Sequence, residues 1–113
     1  MQDTYTDFEL MNLTQIPEII LRKKLESNTV HKNLLWMRKL QHSLYVFGKK
    51  HKKNIDAQMD VVVVIRHIER YCYPFIYADA LNQIKIKYCN DTPKRQKELA
   101  KGMAEKTLRK FSF

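Results

Sequence analysis

Along most of the chain, apolar residues recur at three- and four-residue steps, the spacing that lines one face of an α-helix. The clearest stretch is Val30, Leu34, Met37, Leu40 or Gln41, Leu44 and Phe47, with Leu35 and Trp36 widening the face. It predicts a helix from about Val30 to Phe47, with Gly48 as its stop. Upstream, Ile16, Ile19, Ile20 and Leu25 supply the apolar side of a helix that starts near Pro17, a residue tolerated in a first turn. Ser27-Asn28-Thr29 then breaks the pattern with residues that favour turns and caps. Residues 1–13 read as an acidic lead-in, with a short helix around Phe8, Leu10 and Met11.

A third helix is expected from Asn54 or Asp56. It carries the one strand-like signal, Val61-Val62-Val63-Val64, because β-branched residues favour strands. The helical reading prevails: Val61, Val64, Ile65, Ile68 and Cys72 fall on one side, opposite Met59, Arg66, His67 and Arg70, and a lone strand would have no partner. Pro74 is expected to end this helix, since the residue before a proline avoids the α region. A further helix then carries Tyr77, Ala80, Leu81, Ile84 and Tyr88 and closes at Asn90-Asp91. Thr92-Pro93 is the sharpest local boundary, with Thr as N-cap and Pro in the first helical position. From there a last helix runs to about Lys110, lined on one side by Leu99, Ala100, Met103, Thr107, Leu108 and Phe111.

The expected fold is all-α: a compact bundle of about five helices arranged as antiparallel hairpins, because short connections favour antiparallel neighbours. It forms a single helical domain over 1–113, with 1–13 as lead-in and 14–110 as bundle. With only 2 Gly and 3 Pro, the chain lacks the turn chemistry that an all-β protein of this length needs.

The formal charge of +9 is unevenly spread. Residues 1–20 hold Asp3, Asp7, Glu9 and Glu18 and no Lys or Arg, so they sum to −4 and the remainder carries +13. A chain polarised in this way fits an acidic partner. The acidic N-terminus lacks an apolar signal core, so no secretory signal is expected. Nor does any apolar run approach the roughly 20 residues that span a bilayer. Cys72 and Cys89 do not make a disulfide framework. On one helix they would sit about 25 Å apart, well beyond the roughly 7 Å that a disulfide tolerates. They read as free thiols of an intracellular protein without membrane contact, and the Lys49–Lys53 run as part of a nuclear-import signal would place it in the nucleus.

Recognisable catalytic motifs are missing. The two glycines stand apart at 48 and 102, so there is no phosphate loop. Neither a G-x-S-x-G elbow nor H-E-x-x-H occurs, and His67 and Cys72 complete no zinc spacing. His31, His42, His51 and His67 are scattered. The chain therefore reads as non-enzymatic, with no cofactor, no metal and no catalytic residue.

Two stretches suggest binding. Lys49, Lys50, Lys52 and Lys53, flanking His51, could neutralise phosphates, with Lys94 and Arg95 as further candidates for DNA or RNA contact. The Tyr71-Cys72-Tyr73-Pro74-Phe75 segment places aromatic residues at an expected helix–helix connection, where Tyr suits an interface.

Residues from about 18 to 90 resemble the integrase-binding domain of the lens epithelium-derived growth factor family, within the wider group of TFIIS N-terminal-like helical modules. Leu21-Arg22-Lys23-Lys24-Leu25, Ser27-Asn28 and Leu34-Leu35-Trp36-Met37-Arg38-Lys39-Leu40 look like its first hairpin. The run from Val62 to Tyr71 looks like its third helix, and Ala78 to Lys85 like the helix that follows. The resemblance implies two helical hairpins whose turns form a pocket for short acidic, Phe-containing segments of transcription or chromatin partners. Carried over by position, that pocket comprises Ser27, Asn28, Tyr71 and Tyr73, joined by Phe75 from the aromatic segment. Members that bind integrase place an acidic residue in the first turn, whereas this chain has Ser27-Asn28 preceded by Glu26, and its span between the second and third helices is longer.

The leading expectation is thus a protein–protein interaction module. Its alternatives are a small basic nucleic-acid-binding protein of viral or mobile-element type and an inhibitor or accessory subunit of a host enzyme. The closing Lys110-Phe111-Ser112-Phe113 adds a possible tail for such a pocket, set against simple core packing of Phe111.

Overall fold

A computed structural model describes residues 4–111. These residues form five α-helices and no strand: α1 (Asp7–Thr14), α2 (Glu18–Ser27), α3 (Val30–Lys50), α4 (Ile55–Lys87) and α5 (Pro93–Arg109). Helix α4 is the long axis. Its 33 residues reach about 50 Å at 1.5 Å per residue, close to the longest dimension of the molecule, 53 Å. Helix α3 packs antiparallel along the first half of α4, and α5 folds back along the second half. The two hairpins therefore share α4, and α1 packs on α4 and α3.

The N-termini follow local chemistry. Thr6, Thr29, Asn54 and Thr92 each accept the backbone N–H of the residue three further on, satisfying a donor that the helix leaves open. Pro93 occupies the first turn of α5, as the sequence predicts. At α1 the cap is reciprocal, since the Thr6 N–H donates to the Glu9 carboxylate. Those hydrogen bonds from the Thr6 backbone and hydroxyl hold the Glu9 carboxyl below the usual range. Gly48 does not stop α3, which continues to Lys50. Its missing side chain leaves room for Gln58, which crosses to donate to the His51 carbonyl at 2.9 Å.

Helical burial settles the valine run. Val61, Val64, Ile65, Ile68 and Cys72 are all buried on one side of α4, facing Leu34, Met37, Leu40 and Phe47 of α3 in one cluster. The lead-in joins this core: Leu10 is only 1% exposed, while Phe8 points outward. In α2 the buried residues are Leu21 and Leu25. Ile19 and Ile20, expected on its apolar side, are exposed, because the helix is short and only one residue per turn meets α3 and α4. At the other end Ala80, Ile84 and Ala100 form a smaller cluster with Leu99 and Met103. Small side chains there let two helix axes approach closely. Gln96 closes that end by donating to the Tyr88 carbonyl at 2.9 Å.

Pro74 does not end a helix. It lies inside α4, so the third and fourth helices expected from the sequence are one, and α1 makes up the count of five. An interior proline removes one backbone hydrogen bond and costs about 3 kcal/mol. Pro74 stands on the exposed side, where water can reach the Arg70 carbonyl that loses its donor. On the opposite side Ile68, Cys72, Ile76 and Ala80 are buried at four-residue steps across it. Burying a large aliphatic side chain contributes roughly 1.5–3 kcal/mol, so a few such contacts outweigh the local loss.

Cys72 is buried and Cys89, just beyond α4, is exposed; both are free. Burial pushes the Cys72 thiol above its ordinary range, opposed in part by the Asn33 side chain. Asn33, itself fully buried, donates to the Leu25 carbonyl at 2.9 Å and ties the end of α2 to α3.

Two outcomes follow. Pro74→Ala restores a hydrogen bond in a continuous helix and is expected to stabilise the protein by about 1–3 kcal/mol in urea unfolding; a loss of stability would show that the chain needs a break at 74. Thiol titration of the native protein with an aromatic disulfide should count one fast cysteine, with the second reacting only on unfolding. Two fast thiols would contradict a buried Cys72.

Candidate functional site

Because α4 is continuous, the second inter-helix turn expected around Tyr71–Phe75 does not form, and neither does a pocket made of two turns. Ser27 ends α2, with its hydroxyl donating to the Lys24 carbonyl at 2.8 Å. Asn28 is half-buried beside it. Tyr71 lines a groove against Leu25 and Glu26 of α2, with His67 and Arg70 beside it, and the Phe75 ring lies 5.5 Å from its own. Two residues along a helix turn the side chain by about 200°, which sends Tyr73 elsewhere. Tyr73 lines a groove with Arg66, Arg70 and Leu108 and stacks on Tyr77, with ring centroids 6.1 Å apart.

Phe75 is 52% exposed, at the rim of a third groove of about 460 Å³ between α3, α4 and α5. Leu34, Ile76, Ala80 and Met103 give this groove an apolar floor, and His31 and Lys110 stand at its edge. Phe111 belongs to its wall, partly buried against the core and edge-on to His31 at 5.9 Å. Ser112 and Phe113, the rest of the tail, lie outside the described residues.

The basic candidates also separate. Lys49 and Lys50 are the last residues of α3, and Lys52 and Lys53 lie in the loop before α4; all four are exposed. Lys94 and Arg95 are exposed in the first turn of α5, beyond the far end of α4. The length of α4 keeps the two sets from forming one surface.

The structure brings forward a different grouping. No Asp or Glu occurs between Glu26 and Asp56, whereas Lys32, Arg38, Lys39, Lys49, Lys50, Lys52 and Lys53 all do. These seven cations fall on α3 and the loop after it. Since the apolar side of α3 is spent on the core, the cations gather on its outward side. Arg38, His42, Tyr45 and Lys49, spaced at four-, three- and four-residue steps, share one stripe, and all four are exposed. Tyr45 is 51% exposed, with the Lys49 Nζ 4.4 Å from its ring centroid.

The carboxylates of α1 approach only one edge of α3. There the Ser43 hydroxyl accepts the Tyr5 N–H at 2.8 Å, Lys39 Nζ lies 4.0 Å from the Tyr5 ring centroid, and Asp7 meets His51 at 2.8 Å. Burial raises the Tyr5 phenol above its ordinary range, with Trp36 opposing and the Glu9 charge adding to the rise. The stripe that begins at Arg38 is about 100° round the helix from Lys39. Among the described residues, none of the seven cations is within ion-pair distance of a carboxylate, and the one Lys or Arg pair is the exposed Arg22–Glu18 contact.

Charge counted over the whole chain hides this face, and Arg38, His42 and Tyr45 escape a search for lysine runs. Counting acids helix by helix would have found it. Among the described residues no group of three His, Cys, Asp or Glu side chains gathers to hold a metal ion. No described helix is long and apolar enough to cross a membrane. No family model, curated protein or solved structure matches the chain, so the reading of this surface rests on its own residues.

Proposed function

We propose that the protein is a non-enzymatic binding module for an acidic macromolecule, and that it meets this partner with the outward face of α3 and the loop that follows. The carrying observation is the run of seven cations with no acidic residue among them. Internal charge pairing reaches this run at one edge only, where the Lys39 charge acts on Glu9 and Asp7 meets His51. Away from that edge the cations repel one another, a cost to the folded state that a polyanion relieves. Clustered charge of one sign also speeds encounter with an oppositely charged partner.

The test compares two variants of similar charge loss. One carries Lys49→Gln, Lys52→Gln and Lys53→Gln; the other carries Lys94→Gln, Lys97→Gln and Lys101→Gln on α5. On an immobilised sulfated polysaccharide, the α3 variant should elute at clearly lower salt than the native protein, and the α5 variant close to it. Equal shifts would mean that only net charge matters and would remove α3 as the site.

A second reading is favoured by the groove at Phe75. Its apolar floor suits a Phe, and His31 and Lys110 suit acids on one side of it, with Asp79 on the same groove and held by Gln83; a Phe flanked by acids is the kind of segment implied by the resemblance to nuclear transcription and chromatin modules. Binding of such a peptide should weaken by about 2 kcal/mol or more on Phe75→Ala if that ring is a hot spot. A peptide that binds equally well to the Phe75→Ala variant would exclude the groove.

A further inference from the structure

We infer that the partner of the α3 face, given that face as the binding surface, is a single strand of nucleic acid. The stripe from Arg38 to Lys49 is about 17 Å long at 1.5 Å per residue, and Lys52 and Lys53 extend it past the helix end. Cations lie at both ends, with the imidazole of His42 and the half-exposed ring of Tyr45 between them, Lys49 Nζ resting over one face of that ring. A row of cations alone would suit any polyanion. A row of cations with an exposed aromatic ring inside it fits a chain that carries phosphates and flat bases together, the combination by which single strands are held without sequence preference.

The two other polyanions fit less well. A duplex turns the edges of its bases to the grooves and keeps their faces closed to a ring. An acidic peptide offers carboxylates but no regular series of flat rings. The buried side of α3 contributes too. Leu34, Met37, Leu40 and Phe47 fix the helix to α4, so the backbone that carries the stripe is set before binding and the ordering cost falls on the strand and the long basic side chains.

The experiment measures binding of a fluorescent mixed-sequence single strand of about 12 nucleotides, the duplex of the same sequence, and a peptide of alternating Glu and Phe, each at 50 and 200 mM salt. If Arg38, Lys49, Lys50, Lys52 and Lys53 each neutralise one phosphate, the logarithmic salt slope is about −3.5, a loss of roughly a hundredfold between the two salts. Tyr45→Ala should weaken the single strand roughly tenfold at an unchanged salt slope, and Tyr45→Phe should restore it. Lys49→Gln with Lys52→Gln should make the slope shallower by about 1.4. Tyr88→Ala, at an exposed ring on another element, should leave binding as it is.

A duplex bound as tightly as the strand, with Tyr45→Ala silent, would overturn the inference and leave α3 as a polyanion surface. Preference for the peptide, abolished by the lysine changes, would do the same. Binding of the strand that ignores the lysine changes would overturn both the inference and the reading of α3 on which it rests.

Discussion

The fold depends on α4 remaining one helix through Pro74. That helix is the only element long enough to touch both ends of the molecule among the described residues. Its buried line of Val61, Ile65, Ile68, Cys72, Ile76, Ala80 and Ile84 is shared in sequence by two partners, α3 first and α5 after. A break at 74 would cut the small cluster of Ala80, Ile84 and Ala100 off from the main core that α1, α2 and α3 share with the first half of α4. Continuity is therefore imposed by what lies across from the proline and not by the residues beside it. Packing on the core face overrides a local preference against helix because the preference concerns one hydrogen bond and the packing concerns several side chains.

The same distinction separates what the sequence made legible from what it did not. Helix α3, the helical valine run and the Thr92-Pro93 boundary were readable because each rests on spacing or capping within a few residues. Leu21 for Ile19 and Ile20 was not, because which apolar residue of a short helix turns inward depends on where its neighbours lie. Pro74 was misread for the same reason, and with it the placement of Tyr71, Tyr73 and Phe75. A turn would have gathered all three rings, whereas the helix keeps Tyr71 and Phe75 in contact at a four-residue step and turns Tyr73 away to Tyr77. The acidic lead-in looked separable by charge, yet Leu10 is buried in the main core. Charge marks the outer side of an element and is silent about its inner side.

Helix α3 shows how the fold and the proposed site are linked. Its inner face supplies much of the core, which leaves only its outer face for polar residues. All the charged ones there are basic. Asn33 and Ser43, both buried, anchor α3 to α2 and to the segment before α1 through hydrogen bonds to backbone groups. These contacts hold the basic face in a fixed orientation relative to the bundle. A surface built in this way can present charge at fixed spacing, which a disordered basic tail cannot.

The function proposed for this molecule turns on the outer face of α3 being where a partner binds. Amide chemical shifts followed during titration with a short single-stranded oligonucleotide test it most directly, because they report the site without altering the protein. The largest changes are expected between Arg38 and Lys53, with the amides around Phe75, Met103 and Phe111 little moved. Changes centred on that second group, or spread evenly over every exposed lysine, would contradict it.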